Sequence, residues 1–379
     1  MQIALALFDP PAVDAAGVNI HELLLQARAR GHSCRVYSPL AEVLAMEGVS
    51  CHQLPLGGRG RHRQHAAFVR ELQAALARQP ADVLIGFEPQ PELDALLPIA
   101  MPRQETRPSG WAGRLSGANR YFAALENAVF HAPPPLLFLS SRQQLRYRAH
   151  YALDHHPQLV LPPGAPPELP LEQAREVRRL ARSRWALAEG ELVLLFAGSD
   201  FERQGLSRAI RALAHAREQQ PHQKMRLLVA ARGRLRSYHH LARKLGVLDA
   251  VHFLQGREAA AELMLGADTL VHPAAAEPAG AVLLQALVAG LPVITTEESG
   301  YAQHIAAARA GLVLRSPFQQ TDLDQAVLRC IDGIYRSLCR DTGQTYARLT
   351  DIHSLPEACI NQLEQWHEQP AGVGAPQRR

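Results

Sequence analysis

The chain has no apolar run that approaches the ~18 to 20 residues a membrane-spanning helix requires. That sets aside a helical span. Cysteine is scarce: Cys34, Cys51, Cys330, Cys339 and Cys359 form no CxxC pair and no regular framework. A disulfide scaffold and a cysteine zinc site are therefore not expected, and reduced cytosolic thiols are. Charge of one sign is also in short supply, with 40 Lys+Arg against 36 Asp+Glu and a balance of +4. A dedicated nucleic-acid binder carries a dense basic field, so no nucleic-acid partner is expected, although a local basic patch is still allowed. The apolar opening from Met1 to Phe8 has no basic leader and stops at Asp9, Pro10 and Pro11 with no small-residue cleavage pattern. It reads as a buried first strand rather than a signal peptide.

Chemical signatures are missing too. No Gly-x-Ser-x-Gly elbow occurs, and no cysteine sits in a nucleophile context. Gly58-x-Gly60 lacks the rest of a dinucleotide fingerprint. There are 18 His, but the adjacent pairs His155–His156 and His239–His240 do not share a helix face. No His-x3-His stands near a carboxylate, so no metal is expected.

What is present is globular material: 379 residues, 47% hydrophobic and 20% charged. That is enough for more than one core, and at roughly 150 residues per domain it implies two or three domains. Strand-like and helix-like signals alternate. In the first half, strands are expected at 3–8, 34–37, 51–56, 82–87 and 136–140, with helices at 20–30, 41–46 and 66–79. In the second half, strands are expected at 192–197, 225–231, 252–255, 269–272 and 292–295. Helices are expected there at 206–217, 237–245, 259–265 and 281–289, and then a mostly helical stretch to about Glu368. Such alternation implies an α/β fold with parallel sheets covered on both faces. Proline clusters from Pro133 to Pro170 mark the crossover near the midpoint.

Two strand-to-helix loops carry the chemistry. In the segment from His272 to Val293, a strand ends at His272, a loop carries Glu277, and a helix opens near Gly280. The first N–H groups of a helix have no internal partner, and its dipole favours an anion, so Gly280, Ala281 and Val282 form a candidate diphosphate cradle. Glu277 is placed to accept from sugar hydroxyls, and Gln285, eight positions on, could meet a ribose. The other loop, Gly198 to Gly205, carries Arg203, which could reach a phosphate. The bland alternatives are an ordinary βα unit and a capped helix start with solvated charges.

These two loops, with Ser299 to Ala302, resemble the retaining glycosyltransferases of family 4, and among them the lipopolysaccharide core glucosyltransferase I type. Arg30–His32, Arg35–Tyr37, Gly86–Phe87, Leu93–Asp94, Leu161–Gly164 and Ser354–Glu357 extend the resemblance over nearly the whole chain in order. It implies a GT-B fold, two Rossmann-like domains with a nucleotide sugar in an interdomain cleft. The implied division is an acceptor domain at 1–163, a nucleotide-sugar domain at 164–350, a helix at 351–369 returning to the first domain, and a disordered tail at 370–379. It implies a UDP-sugar donor, no cofactor or metal, and a lipopolysaccharide core acceptor on the cytoplasmic leaflet of the inner membrane.

Carried over residue by residue, the match is partial. The sugar-binding Glu falls on Glu277, but the ribose-binding Glu falls on Gln285, and the Arg-Lys clamp falls on Arg203 and Gln204. The Gly-Gly pair after the first strand falls on Asp14 and Ala15, leaving Gly17 and Asn19 on the acceptor side. An acceptor-side Asp falls on Ala100. Losing one diphosphate contact is expected to cost about 10²-fold or more in rate.

Three readings follow: a hexosyltransferase, glucose first; a degenerate paralogue that serves as a binding or scaffold protein; and an enzyme with a shifted donor sugar. The stretch 102–130 mixes Arg103, Arg107, Arg114 and Arg120 with Trp111, Tyr121 and Phe122, the pattern of a segment resting on an anionic membrane surface. Its bland alternative is an acceptor-side loop with solvated arginines.

Overall fold

The structure, a computed structural model, describes all residues except 106–115, 132–133, 189, 199, 232, 255–259 and 369–379. The expected tail at 370–379 and the centre of the basic-aromatic stretch, with Arg107, Trp111 and Arg114, lie outside the described residues. The chain divides into two compact units, Met1–Gly164 together with the chain from Ser354 onward, and Ala165–His353.

The first unit is a parallel sheet of β1 (Gln2–Ala6), β2 (Ser33–Ser38), β3 (Val49–Gln53), β4 (Val83–Gly86), β5 (Ala95–Leu96), β6 (Leu136–Phe138) and β7 (Gln158–Val160). The strand order is β3-β2-β1-β4-β5-β6-β7, and every pair is parallel. The central strands are apolar without alternation: Ile3, Leu5, Val83, Leu84 and Ile85 are all buried. That is what a sheet covered on both faces demands. The covering helices are α1 (Pro10–Ala15), α2 (Ile20–Ala29), α3 (Arg61–Arg78), α4 (Gly117–His131) and α5 (Ser141–Arg148). Phe68, Leu72, Phe130 and Tyr147 close one core against β1 and β4.

The second unit repeats the plan. Its strands are β8 (Leu192–Gly198), β9 (Met225–Ala231), β10 (Val251–Leu254), β11 (Thr269–His272), β12 (Val293–Thr296) and β13 (Gly311–Leu314), in the order β10-β9-β8-β11-β12-β13. Its helices are α6 (Leu171–Arg184), α7 (Leu206–Gln219), α8 (Arg236–Lys244), α9 (Ala260–Gly266), α10 (Ala281–Val288), α11 (Ala302–Ala308), α12 (Gln320–Arg329) and α13 (Gly333–Leu349). The last helix, α14 (Leu355–Glu368), belongs to the first unit and packs on α2. Glu364 fastens it, accepting from Arg30 Nη1 at 2.9 Å and contacting His32 Nε2 at 2.6 Å.

Several elements differ from expectation. The helix expected at 41–46 is one 3-10 turn, Ala41–Leu44. The 51–56 strand is shifted to Val49–Gln53; the Leu54 N–H still donates to Ser38 O at 3.0 Å, and Pro55, with no N–H to give, cannot continue the ladder. The helix expected from Ala66 begins at Arg61, so Arg61 and Arg63 lie in its first turn rather than in a loop. Asp14 and Ala15, where a glycine loop was sought, lie in α1, whose start is set by Pro10 at a position where its missing N–H costs nothing.

Both sheets have the doubly wound order, and each has one switch point where the order reverses: between β1 and β4, and between β8 and β11. Connections there run to opposite faces and leave a crevice beyond the carboxyl ends of the strands, the place where ligands bind in such sheets.

Candidate functional site

At the second switch point, the loop after β8 and the loop after β11 are neighbours because their strands pair. Two contacts join the loops directly and a third comes from the first turn of α7. The Ala275 N–H donates to Arg203 O at 2.6 Å, Arg208 Nη1 donates to Pro273 O at 2.9 Å, and Gln204 Nε2 donates to Glu277 Oε1 at 2.9 Å. The first loop enters α7 through Gly205, whose φ of +83° favours glycine and whose missing Cβ would strike Pro273 O. Gly205→Ala is expected to cost about 2 kcal/mol or more from the left-handed conformation and the clash together. A thermal melt checks this: the midpoint should drop by several degrees.

Glu277 is the centre of the arrangement. Its side chain is 14% exposed, and it lies on a loop clamped to the next segment. The Glu277 N–H donates to Glu298 O, the Gly300 N–H to Glu277 O, and the Tyr301 N–H to Ala279 O. His272, fully buried at the end of β11, brings its Nε2 to 2.6 Å from Glu277 Oε2. Thr295 Oγ1 donates to the His272 carbonyl at 3.0 Å. Burial alone would raise the Glu277 carboxyl, but His272, Gln204 and Arg203 outweigh it and hold it below the usual carboxylate range. Glu277 is thus a fixed anion at neutral pH. Two of its roughly four lone-pair positions are used, which leaves acceptor capacity for ligand hydroxyls.

Beside it, Gly280 enters α10 at a φ of +86°, and a Cβ there would stand 2.8 Å from Glu277 Oε2. The absent side chain lets Glu277 and the helix start share one small space. Ala281 and Val282 open the helix with N–H groups that have no acceptor within it, and no side chain caps them. Gln285 lies a turn further along α10, half-buried, with no side-chain hydrogen bond among the described residues.

Arg203 is more mobile in its bonding. Its Nε donates to Asp200 Oδ2 at 2.5 Å, with both side chains 41% exposed. An ion pair that open to solvent is worth about 0 to 1 kcal/mol and yields to a better anion. Gln204 stands where the resemblance expects a cation. Its amide is engaged at both ends, with Nε2 on Glu277 and Oε1 accepting from the Asp200 N–H at 2.9 Å. Gly198, at the end of β8, leaves room for that amide, since a Cβ there would overlap Gln204 Oε1.

The structure therefore gathers Gly198, Arg203, Gln204, Glu277, Gly280, Ala281 and Val282 around one crevice, with Gln285 deeper on the same helix. In the first unit, the positions expected on the acceptor side make local hydrogen bonds. Asn19 caps α2, its Oδ1 accepting from the Glu22 N–H at 3.2 Å. The Gly17 N–H donates to Asp14 O at 2.9 Å. Ala100 is exposed, and its carbonyl accepts from Gln143 Nε2 at 3.1 Å and Tyr147 Oη at 3.2 Å. Sequence reasoning passed over His272 and Asp200 as site residues. His272 was visible only as the end of a strand, and nothing in its spacing showed that the loop folds Glu277 back onto it.

Comparison with known proteins bears on the family and the fold. The model of the family described as Glycosyl transferases group 1 matches residues 177–344. The chain is 35% identical over 335 residues to the lipopolysaccharide glucosyltransferase WaaG of Escherichia coli, covering 87% of this chain and 89% of that one. A crystal structure of WaaG, described as a glycosyltransferase involved in lipopolysaccharide biosynthesis, superposes with a TM-score of 0.84 at 32% identity. It covers 95% of this chain and 99% of that one. Anabaena HepE, solved in complex with UDP-glucose, shares the fold at 17% identity with a TM-score of 0.68 over 96% of this chain and 100% of that one.

Proposed function

This chain belongs to the family of group 1 glycosyl transferases that includes the lipopolysaccharide glucosyltransferase WaaG, and on that premise we propose that it moves glucose from a UDP-sugar onto a lipopolysaccharide core sugar with retention. The observation that carries the donor half is the crevice at the β8–β11 switch point. There an ionised, immobilised carboxylate adjoins an uncapped helix start and a solvent-facing arginine. The free N–H groups of Ala281 and Val282 and the α10 dipole would hold the diphosphate. Arg203 would leave Asp200 for it. Glu277 would fix the hexose through its hydroxyls, and Gln285 would meet the ribose.

Transfer needs charge to develop on the departing diphosphate, and preorganised donors stabilise that charge better than water does. The second cation of the family's clamp is absent, and Gln204 instead holds Glu277 in place. Glu277, His272 and Gln204 form one bonded unit, so the amide at 204 serves the sugar side of the reaction. No metal enters this scheme, because the helix start and Arg203 supply the positive charge. A membrane-borne acceptor implies an enzyme at the cytoplasmic face of the inner membrane, with the exposed Arg120 of the 102–130 stretch toward anionic lipid, while Arg103 is half-buried over the Phe122 ring, 4.4 Å from its centroid.

Titration calorimetry with UDP and UDP-glucose, with EDTA present, tests the donor assignment. Saturable heat for both is expected without metal. No heat at millimolar ligand would overturn it.

A further inference from the structure

The second unit carries charge at its other edge as well. The donor crevice lies beyond the carboxyl ends of β8 and β11. A separate cavity of about 320 Å³ opens at the amino ends of the same strands, lined by Arg178 and Arg182 of α6, Arg336 of α13, and Gln223, Glu191 and Asp268. Arg178 and Arg182 share one face of α6, because residues one turn apart are neighbours on a helix. Arg178 Nη2 donates to Asp268 Oδ1 at 2.7 Å, and Arg182 Nη1 to Asp268 Oδ2 at 3.3 Å. The Val193 N–H donates to Asp268 Oδ2 at 2.9 Å. Glu191 is matched too: Arg226 Nε donates to its Oε1 at 2.8 Å, and the Ala188 N–H to its Oε2 at 2.9 Å.

These bonds satisfy both carboxylates and leave a surplus of cations. Arg178, Arg182, Arg226 and Arg336 stand against Asp268 and Glu191. Arg336 has no carboxylate partner among the described residues. Its Nη1 donates to Cys330 O at 2.5 Å and to Ile331 O at 2.8 Å, and its Nε and Nη2 make no hydrogen bond among the described residues. Burial first, and then Arg178, lowers the pKa of the neighbouring Arg340; Asp268 and Asp341 oppose this, and Arg336 adds to it. Like charge is crowded around this cavity with too few anions to match it.

We propose that the cavity binds the phosphate group of a small soluble ester, held by Arg336 with Arg178 and Arg182 around it. A tetrahedral anion accepts from several directions, which suits guanidinium groups arriving from two helices. The volume lies at the low end for small-molecule sites, enough for a phosphate with a short organic group. No aromatic side chain lines it, so a nucleotide base would have nothing to stack on. A metal cation would meet arginines, and both carboxylates are already bonded. Pinning α6 to the sheet explains Arg178 and Arg182 by itself, but it explains neither Arg336 nor the open volume. The site does not depend on the glycosyltransferase reading.

Gly190 offers a test that removes no contact. It lines the cavity at a φ of +74°, and a Cβ there would meet nothing within 4 Å. Asn and Asp tolerate this conformation better than most residues, so Gly190→Asn and Gly190→Asp differ only in charge. The full chain, with saturating UDP to fill the donor crevice, is titrated in a calorimeter with inorganic phosphate and with glycerol 3-phosphate. Sodium chloride at equal ionic strength is the blank. A single saturable site is expected for each. Gly190→Asp should weaken it roughly tenfold or more, while Gly190→Asn stays within about threefold of the unsubstituted chain. Arg336→Gln should weaken it by roughly 10- to 100-fold. UDP affinity should not change in any of the three, which also shows that the second unit is folded. Should Arg336→Gln fail to fold, the Gly190 pair decides alone. No saturable heat above the chloride blank overturns the proposal. Equal affinity in Gly190→Asp and Gly190→Asn overturns it too, since the anion would then sit elsewhere. If UDP itself does not bind, the donor assignment falls, and the same titration without UDP still decides this one.

Discussion

Glu277→Ala should lower kcat by about 10²- to 10³-fold while the two sheets stay folded. The carboxylate accepts from Gln204 and contacts His272 at 2.6 Å, so it is held in one position before any ligand arrives. Removing it deletes a preorganised acceptor for the hexose and strands the buried His272 and the half-buried Gln204. His272 Nδ1 already has no hydrogen-bond partner among the described residues, which makes the loss of its Nε2 contact more costly. Glu277→Gln keeps the shape but not the charge and should fall between the two. Steady-state kinetics with UDP-glucose checks the rate, and a thermal melt checks the fold. The sign of the pH effect follows from the lowered carboxyl. Its stabilisation is fully present above the usual carboxylate value and is lost as pH falls through its own lower one. Acidification, and not alkali, should loosen this loop.

Arg203→Ala is the second large effect: kcat/KM for the UDP-sugar should drop by about 10²-fold, with UDP affinity reduced in parallel. Arg203 is paired with Asp200 in an exposed contact of small worth, which a diphosphate displaces. Asp200→Asn should therefore shift UDP affinity by only about threefold or less, because it removes a weak competitor and not a ligand contact. Calorimetry on the two variants separates these cases. Equal losses for both would mean that Asp200 holds Arg203 in its productive position.

The two-sheet architecture was legible because its central strands are unbroken apolar runs. Residues 192–197 and 269–272 need no alternation when both faces are covered. Three short strands were not legible. β5 is two residues long, β7 is Gln158–Val160 with every residue half-buried, and β13 opens on a glycine, so none carries a strand pattern. α6 was missed because only Ala181 of its residues is buried, and its arginines dominate its composition.

In the site, the βα loops announced themselves by glycine, carboxylate and arginine at helix starts. Partnership did not. Gln204 reads from sequence as a lost cation, whereas the fold engages its amide with Glu277. Local pattern shows where a loop sits. Which side chains meet across two loops depends on strand order, which no single window of sequence contains.

The most direct measurement is transfer itself. The purified chain is incubated with radiolabelled UDP-glucose and a lipopolysaccharide core acceptor that lacks its outer hexoses, and labelled acceptor and released UDP are counted together. An active transferase gives labelled product and UDP in equal amounts, with the glucose α-linked, and Glu277→Ala lowers both by about 10²- to 10³-fold. UDP that binds tightly while no label reaches any core acceptor would contradict it and leave a donor site that no longer turns over.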